Sequence, residues 1–404
     1  MRSPAADVRL LFAARVVRMF SYGLLSVVLV LHLAQLGLDE RRIGILLTLT
    51  LVGDTAISLW LTSAADRFGR RRTLVAGAAL MVLASAVFAS TGSFWWLLLS
   101  AIVGVLSPSG YEVGPFLAVE QAALTEELEP ERRTSVFARY HVAGTLATAL
   151  GALVGGAFVQ GLRAAGFSAE ASYRAAVLAY GLGGVALVAL YARVSAAVEL
   201  SPAARAAPRP ALHRSRGVVI RLSALFALDS FAGGFLLQGM LAWWFHLRFG
   251  VSEGALGAIF FATNVLGAVS ALLAVRIAAR IGLVNTMVFT HIPANVLLVL
   301  VPLMPSLSLA ILVWLLRATI SQMDVPTRQS YVLAVVDPDE RSAAGGVTNV
   351  ARSIGAAFAP ALASPLLVSP IWYALPFFLA GGLKIVYDLA LWRAFRTLHP
   401  PEER

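Results

Sequence analysis

The chain of 404 residues contains no cysteine. Disulfides, thiol catalysis and cysteine-ligated metal sites are therefore excluded. Lysine is nearly absent as well: Lys384 is the only one, and arginine carries the remaining basic charge. Charge of either sign is scarce, at 13% of residues against 59% hydrophobic, where soluble domains carry roughly 25% charged residues. With a mean hydropathy of +0.79, the chain has too little polar surface to face water on all sides. It has no G-x-x-x-x-G-K-[ST] phosphate loop, which argues against ATP-driven work. No histidine pair has zinc-ligand spacing. No nucleophile–base pattern marks an enzyme, so neither a metal nor another cofactor is expected.

The net charge of +10 would suit nucleic acid if the arginines formed a patch or an arm. They sit instead in short segments between apolar runs, as they do in loops that stay on the cytoplasmic side of a bilayer. The expected partner is lipid, and no nucleic acid.

A helix crossing the hydrocarbon core needs about 20 mostly apolar residues. Twelve runs meet this, near 9–36, 43–64, 73–91, 94–124, 134–160, 172–194, 218–246, 253–277, 283–304, 307–335, 341–367 and 371–393. The first is too long for a signal-peptide core and has no cleavage site, so it is read as a membrane helix. If the N-terminal side is cytoplasmic, that side holds Arg67, Arg70, Arg71, Arg72, Arg132, Arg133, Arg205, Arg209, Arg214, Arg216, Arg280, Arg341, Arg393 and Arg396. The other side holds mainly Arg41, Arg42, Arg163, Arg174 and Arg248. Both termini are expected in the cytoplasm. The Pro/Ala/Arg-rich stretch 201–210 reads as a flexible linker. The predicted organisation is an N-terminal six-helix half over 1–194, a cytoplasmic linker over 195–217 and a C-terminal six-helix half over 218–404.

The halves echo one another. Glu129-Pro130-Glu131-Arg132-Arg133-Thr134 and Asp337-Pro338-Asp339-Glu340-Arg341-Ser342 follow spans 4 and 10 at an offset of 208 residues. The same offset relates Gln121 to Gln329 and Gly151-Ala152 to Ala359-Pro360. Asp66-Arg67-Phe68-Gly69 and Ala279-Arg280-Ile281-Gly282 match at an offset of 213.

Asp66-Arg67-Phe68-Gly69-Arg70-Arg71 lies between spans 2 and 3. It resembles the signature G-x-x-x-D-R-x-G-R-[KR] of the major facilitator superfamily, with Thr62 where the family has glycine. The resemblance covers essentially the whole chain. It implies an all-α membrane protein of twelve transmembrane helices in two pseudo-symmetric six-helix halves, with a substrate site near the midplane. It also implies a monomer in the plasma membrane, expected to be a bacterial inner membrane. In the family the motif latches the cytoplasmic side, so Asp66, Arg67, Gly69, Arg70 and Arg71 are expected gate residues. Gly151-Ala152-Leu153-Val154-Gly155-Gly156 in span 5 is similar to the antiporter signature G-P-x-x-G-G, with Ala152 in place of proline. Its glycines Gly151, Gly155 and Gly156 serve equally well as close-packing positions. Span 4 lacks the arginine that exporters often carry there. The prolines and glycines between Ser107 and Pro115 predict a kink beside the pathway.

Ionisable residues inside spans carry a cost and usually mark function. Counting ~1.5 Å per residue, Arg18, Asp54 and Glu112 fall at one level of the first half. Asp229, Asp324 and Arg352 fall at one level of the second. Two carboxylates beside one permanent guanidinium suit proton coupling, because burial and the arginine act oppositely on a carboxyl. Asp54 is the first expected proton carrier, followed by Asp324 and Asp229; the alternative is that such groups are permanent ion pairs holding helices together. Glu120 and Arg139 lie shallower and are expected to pair at the cytoplasmic gate, with Arg328 of the same kind. His291, a lone intramembrane histidine, reads as a packing residue. The expected function is proton-coupled export of a small organic compound or drug by alternating access, with protons and a small-molecule substrate as partners. Proton-coupled import of a metabolite, or a non-transporting membrane receptor or scaffold, are the alternatives.

Overall fold

The computed structural model describes residues 4–127, 130–195, 199, 212–337 and 340–398. They form helices and no strand. In chain order the helices are α1 (Pro4–Gln35), α2 (Glu40–Phe68), α3 (Arg70–Ser90), α4 (Phe94–Val103), α5 (Phe116–Glu127), α6 (Pro130–Ala164) and α7 (Ala169–Ala192). They continue with α8 (Arg216–Gly234), α9 (Gln238–Phe249), α10 (Glu253–Ile281), α11 (Leu283–Leu300), α12 (Leu307–Ala318), α13 (Asp324–Ala334), α14 (Arg341–Val368) and α15 (Leu375–Phe395). Among the described residues, ten helical segments are long and apolar enough to cross a membrane. The shorter apolar helices α4 and α12 begin the remaining two spans. The twelve apolar runs thus become twelve spans, three of them broken: α4/α5, α8/α9 and α12/α13.

The chain forms two compact units, Met1–Ala207 with Gln238–Phe261, and Pro208–Leu237 with Ala262–Arg404. Within the first unit α1 packs chiefly on α6, and within the second α8 packs chiefly on α14. One close backbone contact repeats between the units. A Cβ on Gly23 would strike the Thr148 carbonyl, and one on Gly234 would strike the Ala356 carbonyl. These pairs are related by offsets of 211 on one helix and 208 on the other, so the repeat seen in loops extends into the packed spans.

The span 5 glycines are packing positions. A Cβ on Gly151 would collide with the Phe20 carbonyl, one on Gly155 would lie 2.8 Å from the Leu24 carbonyl oxygen, and one on Gly156 would strike the Glu253 carbonyl. α6 therefore meets α1 and α10 backbone to backbone, as small residues permit between membrane helices.

At the family signature, Gly69 adopts φ +100° between α2 and α3, and its counterpart Gly282 adopts φ +83° between α10 and α11. Both are left-handed conformations that favour glycine. The Glu199 carboxylate accepts the backbone N–H groups of Arg70 (2.7 Å) and Arg71 (3.1 Å), which neutralises the exposed amides at the start of α3. The side chains of Asp66 and Arg67 lie outside the described residues. Glu340 does for α8 what Glu199 does for α3. It accepts the N–H groups of His213, Arg214 (2.9 Å) and Ser215 (2.8 Å). Hydrogen bonds from Ser215, then from the His213 backbone, hold its carboxyl down at about 2, below the usual 4.5.

Two outcomes are expected. Gly151→Leu prevents stable accumulation in membranes, whereas Gly161→Ala, with nothing within 4 Å of the added carbon, is tolerated; detergent-solubilised yield and thermal unfolding measure both. Because the Glu340 carboxyl is depressed, its contribution is complete above the unfolded value near 4.5 and disappears as pH falls through about 2. Wild type should therefore unfold at higher temperature than Glu340→Gln at pH 6, and the gap should close as pH falls from 4.5 toward 2.

Candidate functional site

The break in span 4 organises the first unit. Between α4 and α5 the chain runs through Pro108, Gly110 (φ +73°), Gly114 (φ +80°) and Pro115. The predicted kink is thus a full interruption. Freed backbone groups in an apolar setting must find partners, and side chains from the surrounding spans supply them. Tyr22 donates to the Val113 carbonyl at 3.1 Å, Tyr180 to the Val105 carbonyl, and Ser107 to the Tyr111 carbonyl at 2.7 Å. The Gly239 N–H, at the start of α9, donates to the Pro108 carbonyl at 3.0 Å. Asp54 belongs to this set: its Oδ1 accepts the Gly114 N–H at 2.7 Å and the Ser58 hydroxyl at 3.4 Å. Among the described residues Asp54 forms no ion pair.

Beside the break lies a buried charge cluster. Arg18 is fully buried and donates from Nε to Glu112 at 2.8 Å, and from Nη1 and Nη2 to Glu120 at 2.8 and 2.6 Å. Arg15 also pairs with Glu112. Tyr191 accepts from Arg18 (2.7 Å) and donates to Glu120 (2.7 Å), while Tyr140 donates to the other Glu120 oxygen. The Arg18 guanidinium lies 4.8 Å over the Phe116 ring. The expected Arg18–Glu112 proximity is present. The expected Glu120–Arg139 gate pair is not: Glu120 takes Arg18, and Arg139 is exposed on α6. Sequence depth along separate helices could not show that α5, restarted after the break, turns Glu120 back toward α1.

The second unit holds the corresponding cluster with its signs exchanged. Arg328 donates to Asp324 at 2.8 Å and to Asp229 at 3.3 Å. The offsets of 211 and 208 that align Gly23 with Gly234 and Thr148 with Ala356 also align Arg18 with Asp229 and Glu120 with Arg328. Each unit therefore ties its first span to the restarted half of its fourth with one buried ion pair of opposite polarity. Arg328, expected to form a structural pair like Glu120, is paired with Asp324 and Asp229. Arg352, predicted to complete the acid–acid–arginine group, forms no ion pair among the described residues.

Sequence reasoning missed several members. Lys384 binds Asp229 at 2.5 Å from α15. Asp388, one turn further on, accepts His291 at 2.8 Å and the Asn295 amide at 3.2 Å. His291 is thus an acid's partner and not a lone packing residue. Lys384 and Asp388 lie in an apolar run, so the rule that selected Asp229 would have selected them. Arg15, one turn from Arg18, was open to the same inference. Among the described residues no three His, Asp or Glu side chains are arranged to hold a metal ion.

The family model of the Major Facilitator Superfamily matches residues 11–360. The chain belongs to that superfamily. A superfamily member is a multi-pass membrane transporter, and the twelve-span fold described above agrees. A curated relative, the uncharacterized membrane protein YJR124C of Saccharomyces cerevisiae, is 31% identical over 95% of this chain and 93% of its own. Among solved structures, a bacterial homolog of the human lysosomal transporter Spinster, in an inward-facing and occupied conformation, superposes with a TM-score of 0.74. It shares 16% identity and covers 98% of both chains. A D-xylose–proton symporter superposes with a TM-score of 0.76 at 14% identity, over 96% of this chain and 97% of that one. At these identities the structures show the superfamily fold alone.

Buried ion pairs with one partner removed lose about 3–5 kcal/mol, while removing both partners costs far less. Glu120→Met should therefore lower the thermal unfolding midpoint of the purified transporter markedly. The double variant Arg18→Met/Glu120→Met should recover much of the loss.

Proposed function

We propose that this superfamily member is a proton-coupled secondary transporter of a small organic compound, working by alternating access, with Asp54 as the proton carrier. Asp54 carries the reading. It is a mid-span acid whose partners are a backbone amide and a hydroxyl, while the other mid-span acids of its unit are held by arginines. An acid without a cation is neutralised by a proton and is charged again when water reaches it. Proton loading would also weaken the bond from Gly114 and so loosen the interrupted backbone of span 4. This gives a direct route from protonation to helix movement.

Export is the first reading of direction, from the resemblance of span 5 to the antiporter signature. Inward symport is the second. The observation behind it is that Gly151, Gly155 and Gly156 are each occupied by helix contacts, so the span 5 motif needs no exchange role. Asp324 and Asp229, also considered as carriers, are held by Arg328 and Lys384 and serve better as the fixed framework. The family signature at Asp66, Arg67, Gly69, Arg70 and Arg71 is proposed as the gate of the transport cycle.

The test is reconstitution into liposomes with an imposed pH gradient and a trapped pH dye, using a panel of drugs and metabolites. A transported compound should dissipate the gradient with wild type. Asp54→Asn should abolish dissipation yet retain counterflow of the same labelled compound. Counterflow by wild type with no proton movement would overturn proton coupling, and Asp54 would then only hold the interrupted backbone of span 4.

A further inference from the structure

The mid-span charges of the second unit are unequally matched. Asp229 is bound by Lys384 and Arg328, Asp324 by Arg328, and Asp388 by His291. Each of these acids has a direct partner, His291 being a cation only when protonated. Arg352, on α14, has no carboxylate within ion-pair distance among the described residues, and its Nε meets no acceptor. It lies near Arg328, Asp229 and Asp324, whose charges it feels, and it remains partly accessible. A guanidinium keeps its charge under all physiological conditions. Unlike Asp54, it cannot be neutralised by a proton, so only an anion can compensate it.

The internal repeat shows what is missing. At the offset of 208, Arg352 corresponds to Gly144. In the first unit that spot is filled from α1: an added Gly144 Cβ would meet the Arg15 guanidinium at 2.5–3.0 Å. Both units thus bring an arginine side chain to this region, one from α1 and one from α14. In the first unit Glu112 neutralises it. Counting back from Phe116 and Asp324, the first residues of the two restarted helices, the position of Glu112 is occupied by Ile320. The second unit has no carboxylate at that position to meet Arg352.

A guanidinium with no carboxylate partner among the described residues and a free Nε offers the forked donor geometry suited to a carboxylate, phosphate or sulfonate oxygen pair.

We infer that Arg352 binds an anionic group of the transported compound, which does for it what Glu112 does for Arg15 in the other unit. The substrate class is therefore a small organic anion. This inference rests on the transport reading above, but it does not depend on which acid carries the proton. Paired with a proton on Asp54, one anionic group would make the loaded transporter carry no added charge.

The test uses the purified full chain in detergent. Without any ligand, Arg352→Gln should raise the thermal unfolding midpoint, because it removes an uncompensated charge. A lower midpoint or failure to fold would show that Arg352 holds the structure together and would overturn the inference. Binding is then measured by thermal shift against aryl and alkyl carboxylates, phosphonates and sulfonates, their matched neutral amides and amines, and inorganic phosphate and chloride. At least one organic anion should stabilise wild type where its amide does not. Its affinity should fall more than tenfold in Arg352→Gln, fall less in Arg352→Lys, and stay unchanged in the surface control Arg174→Gln. No response to any anion, an equal response in Arg352→Gln, or a response to inorganic anions only would overturn it. Liposome uptake of the bound anion separates the two readings. Arg352-dependent binding without uptake defeats transport and leaves the anion site standing. Uptake undiminished in Arg352→Gln defeats the anion site and leaves transport standing.

Discussion

A charge placed inside an apolar span must meet an opposite charge, a proton or a ligand, and the arrangement of both units depends on that requirement. The Arg18–Glu120 pair is the clearest instance. Both side chains are fully buried, and leaving an arginine alone at the centre of a membrane helix costs about 3 kcal/mol even on the most lenient scale. The bidentate geometry, with Tyr191 and Tyr140 completing the Glu120 oxygens, ties α1 to α5 and α7 at one point. The second unit reaches the same end with Asp229 and Arg328. The exchange of sign between the units shows that the repeat preserves the bond and leaves the polarity free.

That polarity has consequences. With an arginine on α1, the first unit recruits two acids, Glu112 and Glu120, and both are consumed by Arg15 and Arg18. With an acid on α8, the second unit recruits Arg328 and Lys384. What is left over differs in kind: an acid, Asp54, in one unit and a cation, Arg352, in the other. These leftovers are the groups proposed above to change state or to bind. The interruption of span 4 adds to this, since Asp54 is bound to the very amide that the break set free.

The interruptions obey a second constraint, that no backbone polar group can be left bare in an apolar environment. Span 4 satisfies it with tyrosine and serine hydroxyls and one carboxylate. The break in span 10, between α12 and α13, is shorter. There the Ser321 N–H returns to the Arg317 carbonyl at 3.0 Å, and the Gln322 N–H reaches the Ser270 hydroxyl at 3.4 Å. Prolines announced the first break. Nothing so plain announced the second, because Pro326 stands inside the first turn of α13, where a missing N–H is harmless.

Composition and the length of apolar runs were enough, by themselves, to determine an all-α membrane protein of twelve spans, because a helix must be a certain length to cross hydrocarbon. The Asp66–Arg71 motif and the loop repeats were enough for the superfamily and for the turn at Gly69, whose conformation only glycine adopts readily. Depth counting also brought Arg18 to Glu112 and Asp229 to Asp324 correctly, since helix rise is fixed. It could not supply azimuth. Which side of a helix a residue occupies, and how far a break rotates the helix beyond it, depend on contacts between spans distant in sequence. For that reason the partner of Glu120, the role of Arg328, the engagement of His291 with Asp388 and the isolation of Arg352 were decided only by the tertiary structure.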